Sequence, residues 1–387
     1  MAQNPTEHVS SSAPITSLYL LSKYPPSPST IFHFFTSPNS REKLTDTNMS
    51  RLLHFLTQAW TPPTDPTTSF AGKTIVITGA NSGLGFEAAL KVYQLGCSVL
   101  ILGVRDLAKG EVAKKEILNR AGKGEEEGRI EVWSCDMDDY EILQAFVGKI
   151  GELERVDAVV LNAGVFGVKY EKGRYGWEVV LQVNVLSTAL LGILLLPLLK
   201  AAKRAEGERV PVLEFVGSEG HALVSVEQER REQQNLLGSY NREESFIPRV
   251  QYQTSKLFVM YIMQTLASLA TLPDGKPEVT VLAVCPGGAK SNLSRGYEGV
   301  VAGVFKWVFG SLFLRTTEQG ARTLVSGLLL GEEAQGGFWQ SDVIREPAPL
   351  VTGEEGEGLR KRVWTEIVEA LETDVPRVNE VLRKLEK

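Results

Sequence analysis

Thr78-Gly79-Ala80-Asn81-Ser82-Gly83-Leu84-Gly85 follows the apolar run Thr74-Ile75-Val76-Ile77 and precedes an amphipathic run from Phe86 to Leu95. Strand, glycine-rich turn, helix is the order that a phosphate-binding loop requires. The first N–H groups of a helix have no intrahelical partner, and together with the helix dipole they favour an anion. Gly79 can take a positive φ in the tight turn. Gly83 has no Cβ to hold a pyrophosphate off the backbone, and Gly85 lets the helix pack close on the sheet. Ser82 and Leu84 stand with them at the helix start. The spacing is Gly-x3-Gly-x-Gly, not the Gly-x-Gly-x2-Gly of most dinucleotide folds. The bland alternative is an ordinary glycine-rich strand-to-helix turn.

From Phe70 onward the pattern alternates. Strands are expected at 73–78, 98–102, 129–134, 157–161, 210–216 and 279–284. Helices are expected at 106–120, 139–150, from about 177 to 204, and 252–270. Such alternation implies a parallel sheet with helices on both faces. Ala189–Leu199 is nearly all apolar but too short for a span, so it reads as a buried helix. Residues 225–249 are polar and read as an insertion.

The ends of the chain read differently. Residues 1–48 are rich in Ser, Thr and Pro, a composition that favours a disordered extension. A targeting segment, or an upstream extension before a start at Met49, fits the same residues. Residues 49–69 read as a short amphipathic helix, RLLHFLTQAW at 51–60, and a stiff linker with Pro62, Pro63 and Pro66. The main domain is expected to run from 70 to 372, with a tail at 373–387.

Hydrophobic residues at 43% and charged residues at 23% fit a globular protein, and a net charge of −6 gives no basic footprint for nucleic acid. Cys97, Cys135 and Cys285 sit in or beside apolar runs without a paired framework. They read as buried thiols in a reducing, cytoplasmic compartment. His8, His33, His54 and His221 show no metal-ligand spacing, so no metal is expected.

The chemistry-bearing residues stand at strand ends. Tyr252 and Lys256 are four apart and share a helix face. A lysine ammonium about 4 Å from a phenol favours the phenolate by roughly 4 kcal/mol at an effective dielectric of ~20, which suits a general acid/base. Tyr19 and Lys23 have the same spacing but no site around them. Ser218 ends the fifth strand, where its hydroxyl can meet a substrate carbonyl or cap a turn. Asn162-Ala163-Gly164 ends the fourth strand. Asn184 lies in the long apolar helix and must find partners there. Asp136 follows the third strand, to accept from an adenine amino group or to cap the next helix. Arg105 stands past the second strand where a 2′-phosphate needs a cation, which favours NADP over NAD. Asp106 reads as a cap, and Lys109 as a surface lysine. In Cys285-Pro286-Gly287-Gly288-Ala289-Lys290-Ser291, Ala289 and Ser291 are placed to meet the nicotinamide end of a coenzyme.

TGANSGLG, Asp136, NAG, Asn184, Ser218, YQTSK and CPGGAKS, in this order, resemble the short-chain dehydrogenase/reductase pattern, and TGANSGLGFEAA, YQTSKL and RTTEQGARTLV its fungal and retinol-dehydrogenase-like reductases. The resemblance runs from about Phe70 to Leu371. It implies a doubly wound Rossmann-type α/β fold with seven parallel strands in the order 3-2-1-4-5-6-7. It also implies a catalytic tetrad of Asn184, Ser218, Tyr252 and Lys256, and NADP(H)-dependent interconversion of a carbonyl and a secondary alcohol. In that role Asn184 holds a water and Lys256 binds the nicotinamide ribose. Gly217 and Ser291 depart from the family pattern, Ser291 keeping a hydroxyl. The expected partner is a mid-sized apolar or biosynthetic small molecule, as in secondary metabolism. The apolar stretch 299–314 reads as a substrate lid, with membrane contact as the less favoured reading. An inactive cofactor-binding regulator is the alternative of another class.

Overall fold

The computed structural model describes residues 61–204, 207–288 and 315–385. The expected extension at 1–48, the segment 51–60, Ala289, Ser291 and the stretch 299–314 lie outside these residues.

The central strand β1 (Thr74–Thr78) is wholly buried. Its β-branched side chains suit a pleated surface covered on both faces. On one side lie β2 (Val99–Val104) and β3 (Arg129–Ser134). On the other lie β4 (Ala158–Leu161), β5 (Val212–Val216), β6 (Thr280–Val284), β7 (Phe338–Gln340) and β8 (Val343–Arg345). The order is β3-β2-β1-β4-β5-β6-β7-β8. The first seven strands are parallel and in the implied order. The expectation of seven strands in all needs correction: the described residues form eight. β8 returns antiparallel to β7 through Ser341 and Asp342, at φ 50° and 61°. Two positive φ values in a two-residue loop give a turn whose twist matches a hairpin.

The period-two alternation divides the core. Ile75 and Ile77 face α1 (Gly83–Gln94), α2 (Leu107–Ala121) and α6 (Thr317–Gly327). Val76 faces α3 (Tyr140–Gly151), α4 (Thr188–Lys200) and α5 (Pro248–Leu269), with α7 (Glu354–Asp374) and α8 (Arg377–Leu385) behind. Within the segment 373–387, α8 buries Val378, Leu382 and Leu385.

The long helix expected from 177 to 204 is a π-helical stretch, Leu181–Ser187, that continues into α4. Together they are long and apolar enough to cross a membrane, yet 89% of the apolar window is buried in the fold. This is the packing expected of a core helix. Residues 61–69, expected as a stiff linker, are instead fastened to the domain. Pro63 and Pro66 are buried, Thr64 N–H donates to Asp342 Oδ2 at 2.7 Å, and Asp65 pairs with Lys91 at 2.5 Å. The insertion is fastened as well: Leu236 and Leu237 donate their N–H groups to Glu366 at 2.9 and 2.6 Å.

Candidate active site

The strand order reverses between β1 and β4, which opens a crevice at their carboxyl ends. The glycine loop lies there. Gly79 and Gly83 have φ of 67° and 63°, a region that side chains disfavour. A Cβ at Gly83 would meet nothing within 4 Å, so the space beyond its backbone is open. A Cβ at Gly85 would collide with Asn162 Nδ2 and stand 2.6 Å from the Gly79 carbonyl oxygen. Ser82 precedes α1 without making a side-chain cap, which leaves the first-turn N–H groups of α1 uncapped.

Asn162 ties this loop to β4. Its Nδ2 donates to the Thr78 carbonyl at 2.8 Å, and the N–H groups of Asn162 and Ala163 donate to Thr78 Oγ1, each at 3.0 Å. Sequence reading assigned no role to Thr78; a hydroxyl residue ending a strand beside the loop was the available signal. Asn184 continues the chain of contacts. Its Oδ1 accepts from Val165 N–H at 2.8 Å, and its Nδ2 donates to the Val165 carbonyl at 2.9 Å and to Ser255 Oγ at 3.1 Å. Ser255 in turn donates to the Tyr252 carbonyl at 2.7 Å. The wide π turn around Asn184 is a device often found at functional sites.

Ser218 follows β5. Its hydroxyl accepts from Gly220 N–H at 3.1 Å, so the turn-capping reading holds. The same hydroxyl stands close enough to the Tyr252 phenol to draw its pKa down. Burial is the larger influence and pushes the phenol well above its ordinary value. Lys256 is buried, donates to the Val216 carbonyl at 2.8 Å and lies 5.7 Å from the centre of the Tyr252 ring. Burial pulls its ammonium down to about 8. At this separation burial, rather than the lysine charge expected at about 4 Å, dominates the tyrosine. Phe166 packs 5.3 Å from Tyr252, centroid to centroid.

His221, to which sequence reading gave no site role, is buried behind Ser218. Its Nδ1 lies 2.7 Å from the Ser218 carbonyl oxygen, and its Nε2 accepts from Ala348 N–H at 3.3 Å. These partners place the ring proton on Nδ1, where it donates to Ser218, and burial depresses the pKa of the ring. The partner 127 residues away left no local sequence signal.

At the adenosine end, Arg105 is exposed just past β2 and forms no ion pair with a described residue. Asp106 caps α2 by accepting from Lys109 N–H at 3.1 Å, and it pairs with the Lys109 ammonium at 3.4 Å. Asp136 accepts from Asp138 N–H at 3.1 Å; the cap of α3 is Asp139. Cys97, Cys135 and Cys285 are free and buried, and burial pushes each thiol up to about 12. Among the described residues no group of three or more acidic, His or Cys side chains could hold a metal.

Comparison with known proteins agrees with this geometry. A family model described as short chain dehydrogenase matches residues 73–226. The chain is 44% identical over 325 residues to the short-chain dehydrogenase/reductase ffsI of Aspergillus flavipes, covering 83% of this chain and 92% of that protein. It is 43% identical over 311 residues to the short-chain dehydrogenase/reductase phmF of Phaeosphaeria nodorum, covering 80% and 89%. Among solved structures, an uncharacterised protein from Mycobacterium paratuberculosis aligns with a TM-score of 0.55 and 24% identity over 79% of this chain and 97% of that one. A short chain dehydrogenase of Shigella flexneri complexed with NADP aligns with a TM-score of 0.50 and 21% identity over 72% and 100%. At these identities the structures speak for the fold.

Proposed function

The chain belongs to the short-chain dehydrogenase/reductase family of oxidoreductases, and from that premise we propose that it interconverts a carbonyl and a secondary alcohol with NADP(H). The observation that carries this reading is the meeting of Ser218, Tyr252 and Lys256 beside the open glycine loop. When bound, the coenzyme supplies or accepts the hydride. The protein's part is to bind, orient and move a proton.

Tyr252 starts protonated, since burial holds its phenol high, so it is the acid that donates to the carbonyl oxygen. Ser218 steadies that oxygen. Lys256, with a pKa near 8, changes charge close to working pH and can return a proton to the phenol. In the family this lysine also binds the nicotinamide ribose, and the same role is assigned to Lys256. Asn184 holds the π turn against Val165 and Ser255, and so fixes the backbone beneath Tyr252. The uncapped start of α1 and the open face of Gly83 fit a pyrophosphate. Asp136 and Asn162, just past the ends of β3 and β4, are assigned to the coenzyme as well, and Ala289 and Ser291, which lie outside the described residues, by sequence position alone.

NADP is favoured over NAD by Arg105, since the nearest carboxylate, Asp106, is taken up by its cap and by Lys109. The Shigella flexneri protein was solved with NADP, in keeping with this choice. Leu223, five residues beyond Ser218, is an exposed apolar residue that supports a mid-sized apolar substrate, such as a biosynthetic ketone. The free, buried thiols fit a reducing compartment, the cytoplasm. The test is coenzyme oxidation across a panel of carbonyl compounds with wild type and Tyr252→Phe. The variant is expected to keep the fold and coenzyme affinity and to lose turnover; a large share of wild-type turnover would refute the assignment.

A further inference from the structure

Arg249 occupies a place that the proposed chemistry leaves without a use. It lies in the first turn of α5, three residues before Tyr252 and seven before Lys256. At about 100° per residue, Lys256 is turned roughly 40° from Tyr252 around the axis, and Arg249 roughly 60° in the same sense. The three side chains therefore leave the helix on one face, with Arg249 about 4.5 Å further along the axis toward its start. Gln253, the next side chain around that face, lies against the turn that follows Ser218: a Cβ at Gly220 would stand 3.5 Å from Gln253 Cγ. Arg249 is thus on the catalytic face of α5, one turn beyond the reacting groups.

The guanidinium is half-buried, and no described residue gives it a hydrogen bond or ion pair. Burial alone moves its pKa, downward, and no carboxylate opposes the shift. Exposed Glu243 and Glu244 lie nearby in sequence, yet neither contributes to that shift. A cation also opposes the helix dipole at this end. Loss of hydration, lack of a counter-ion and an unfavourable dipole are three costs to the folded chain. Three other half-buried arginines are paired with carboxylates: Arg155 with Asp157 and Glu208, Arg322 with Glu318, and Arg362 with Glu366; Arg345, with a buried Nε that has no partner, is not.

We propose that Arg249 recognises a carboxylate carried by the substrate, a few bonds from the carbonyl that Tyr252 protonates. The substrate class is then an acidic ketone, or the matching hydroxy acid, with an apolar body. Arg suits this task because its planar fork binds a carboxylate through two parallel hydrogen bonds. The inference rests on the assignment of Tyr252 and Ser218 to the reacting carbonyl.

The test uses the full-length protein, NADPH, and a panel of 2-, 3- and 4-oxo acids with aryl or alkyl bodies, each paired with its methyl ester. Wild type is expected to prefer an acid over its ester by about 10- to 100-fold in kcat/KM, the range of one charge-assisted pair. Arg249→Gln should erase that preference through KM, leave turnover of the ester and affinity for NADPH unchanged, and melt at the same temperature or higher. Arg249→Lys should restore part of the preference. Equal use of acid and ester by wild type would overturn the proposal, as would a preference that survives in Arg249→Gln. A lower melting temperature in that variant would assign Arg249 to the fold, and weaker NADPH binding would assign it to the coenzyme. Ester turnover that persists in Tyr252→Phe refutes the underlying mechanism instead. Lack of turnover across the whole panel overturns both.

Discussion

Glu214, in the middle of β5, is wholly buried on the face opposite Leu213 and Phe215, and neither carboxyl oxygen has a hydrogen-bond partner. Gly327 of α6 leaves it room: a Cβ there would collide with Glu214 Oε2. Burial raises the pKa of this carboxyl well above its ordinary value. A raised folded-state pKa means that its contribution to stability is fully present below the unfolded pKa and is lost as pH rises toward the folded one. The loss therefore begins as pH rises above the unfolded value of ~4.3, and for one proton held by the folded chain and not by the unfolded one its slope is at most about 1.36 kcal/mol per pH unit. In a domain of about 300 residues that slope corresponds to a fall in melting temperature of at most about 2 °C per pH unit. Glu214→Gln keeps the shape and removes the titration. Thermal melts of wild type and Glu214→Gln at half-unit steps from pH 5 to 8 are expected to diverge by this amount, the variant losing less as pH rises. Parallel profiles would show that the carboxyl finds charge compensation inside the sheet, and would refute the reasoning.

Arg105→Ala should weaken NADPH more than NADH, by about 1.5–3 kcal/mol if the full charge-assisted pair is lost and less if solvent screens it; equal weakening of both in binding titrations would reduce Arg105 to loop support. Gly85→Ala, which forces a methyl group against Asn162 and the Gly79 carbonyl, should cost about 1–3 kcal/mol in denaturant melts, whereas Gly83→Ala meets only a positive φ and should cost ~1 kcal/mol. His221→Phe removes the ring bonds to Ser218 and Ala348 and should lower kcat while removing an acid-side loss of stability. The depressed pKa of His221 contributes stability that is present above ~6.5 and lost as pH falls through its folded value, so identical acid limbs in wild type and variant would contradict the role given to the ring.

The parts of the fold that were legible in the sequence are those whose cause is local. β1, its glycine turn and α1 are consecutive, and period-two burial passing into a helical face marks them without help from distant residues. Tyr252 and Lys256 were legible because a four-residue spacing on a helix has one geometric meaning, and Ser218 because a strand end in an open parallel sheet faces the ligand. β7 and β8 were not legible: each has three residues, and their turn is Ser341-Asp342 rather than a glycine pair. The π turn at Asn184 was not legible either, because its wide geometry depends on bonds to Val165 and Ser255 that join separate segments. Arg249 reads in sequence as one more surface cation; its lack of a partner is a property of the packing alone.

β5 connects the two faces of the protein. Glu214 points into the apolar layer under α6, while two residues further on the Val216 carbonyl holds the Lys256 ammonium, and Ser218 follows at the strand end. A strand can keep a catalytic lysine in place only if its own backbone stays fixed, and the ladder to β4 and β6 on both sides fixes it. The same ladder prevents Glu214 from turning toward water when it ionises. The strand that makes Val216 and Ser218 dependable anchors is therefore also what obliges Glu214 to keep its proton. A charge forced onto Glu214 would be met by movement of α6, which rests on side chains, before movement of β5, which is held by backbone hydrogen bonds on both edges. Stability would then respond to rising pH sooner than the geometry of Ser218, Tyr252 and Lys256.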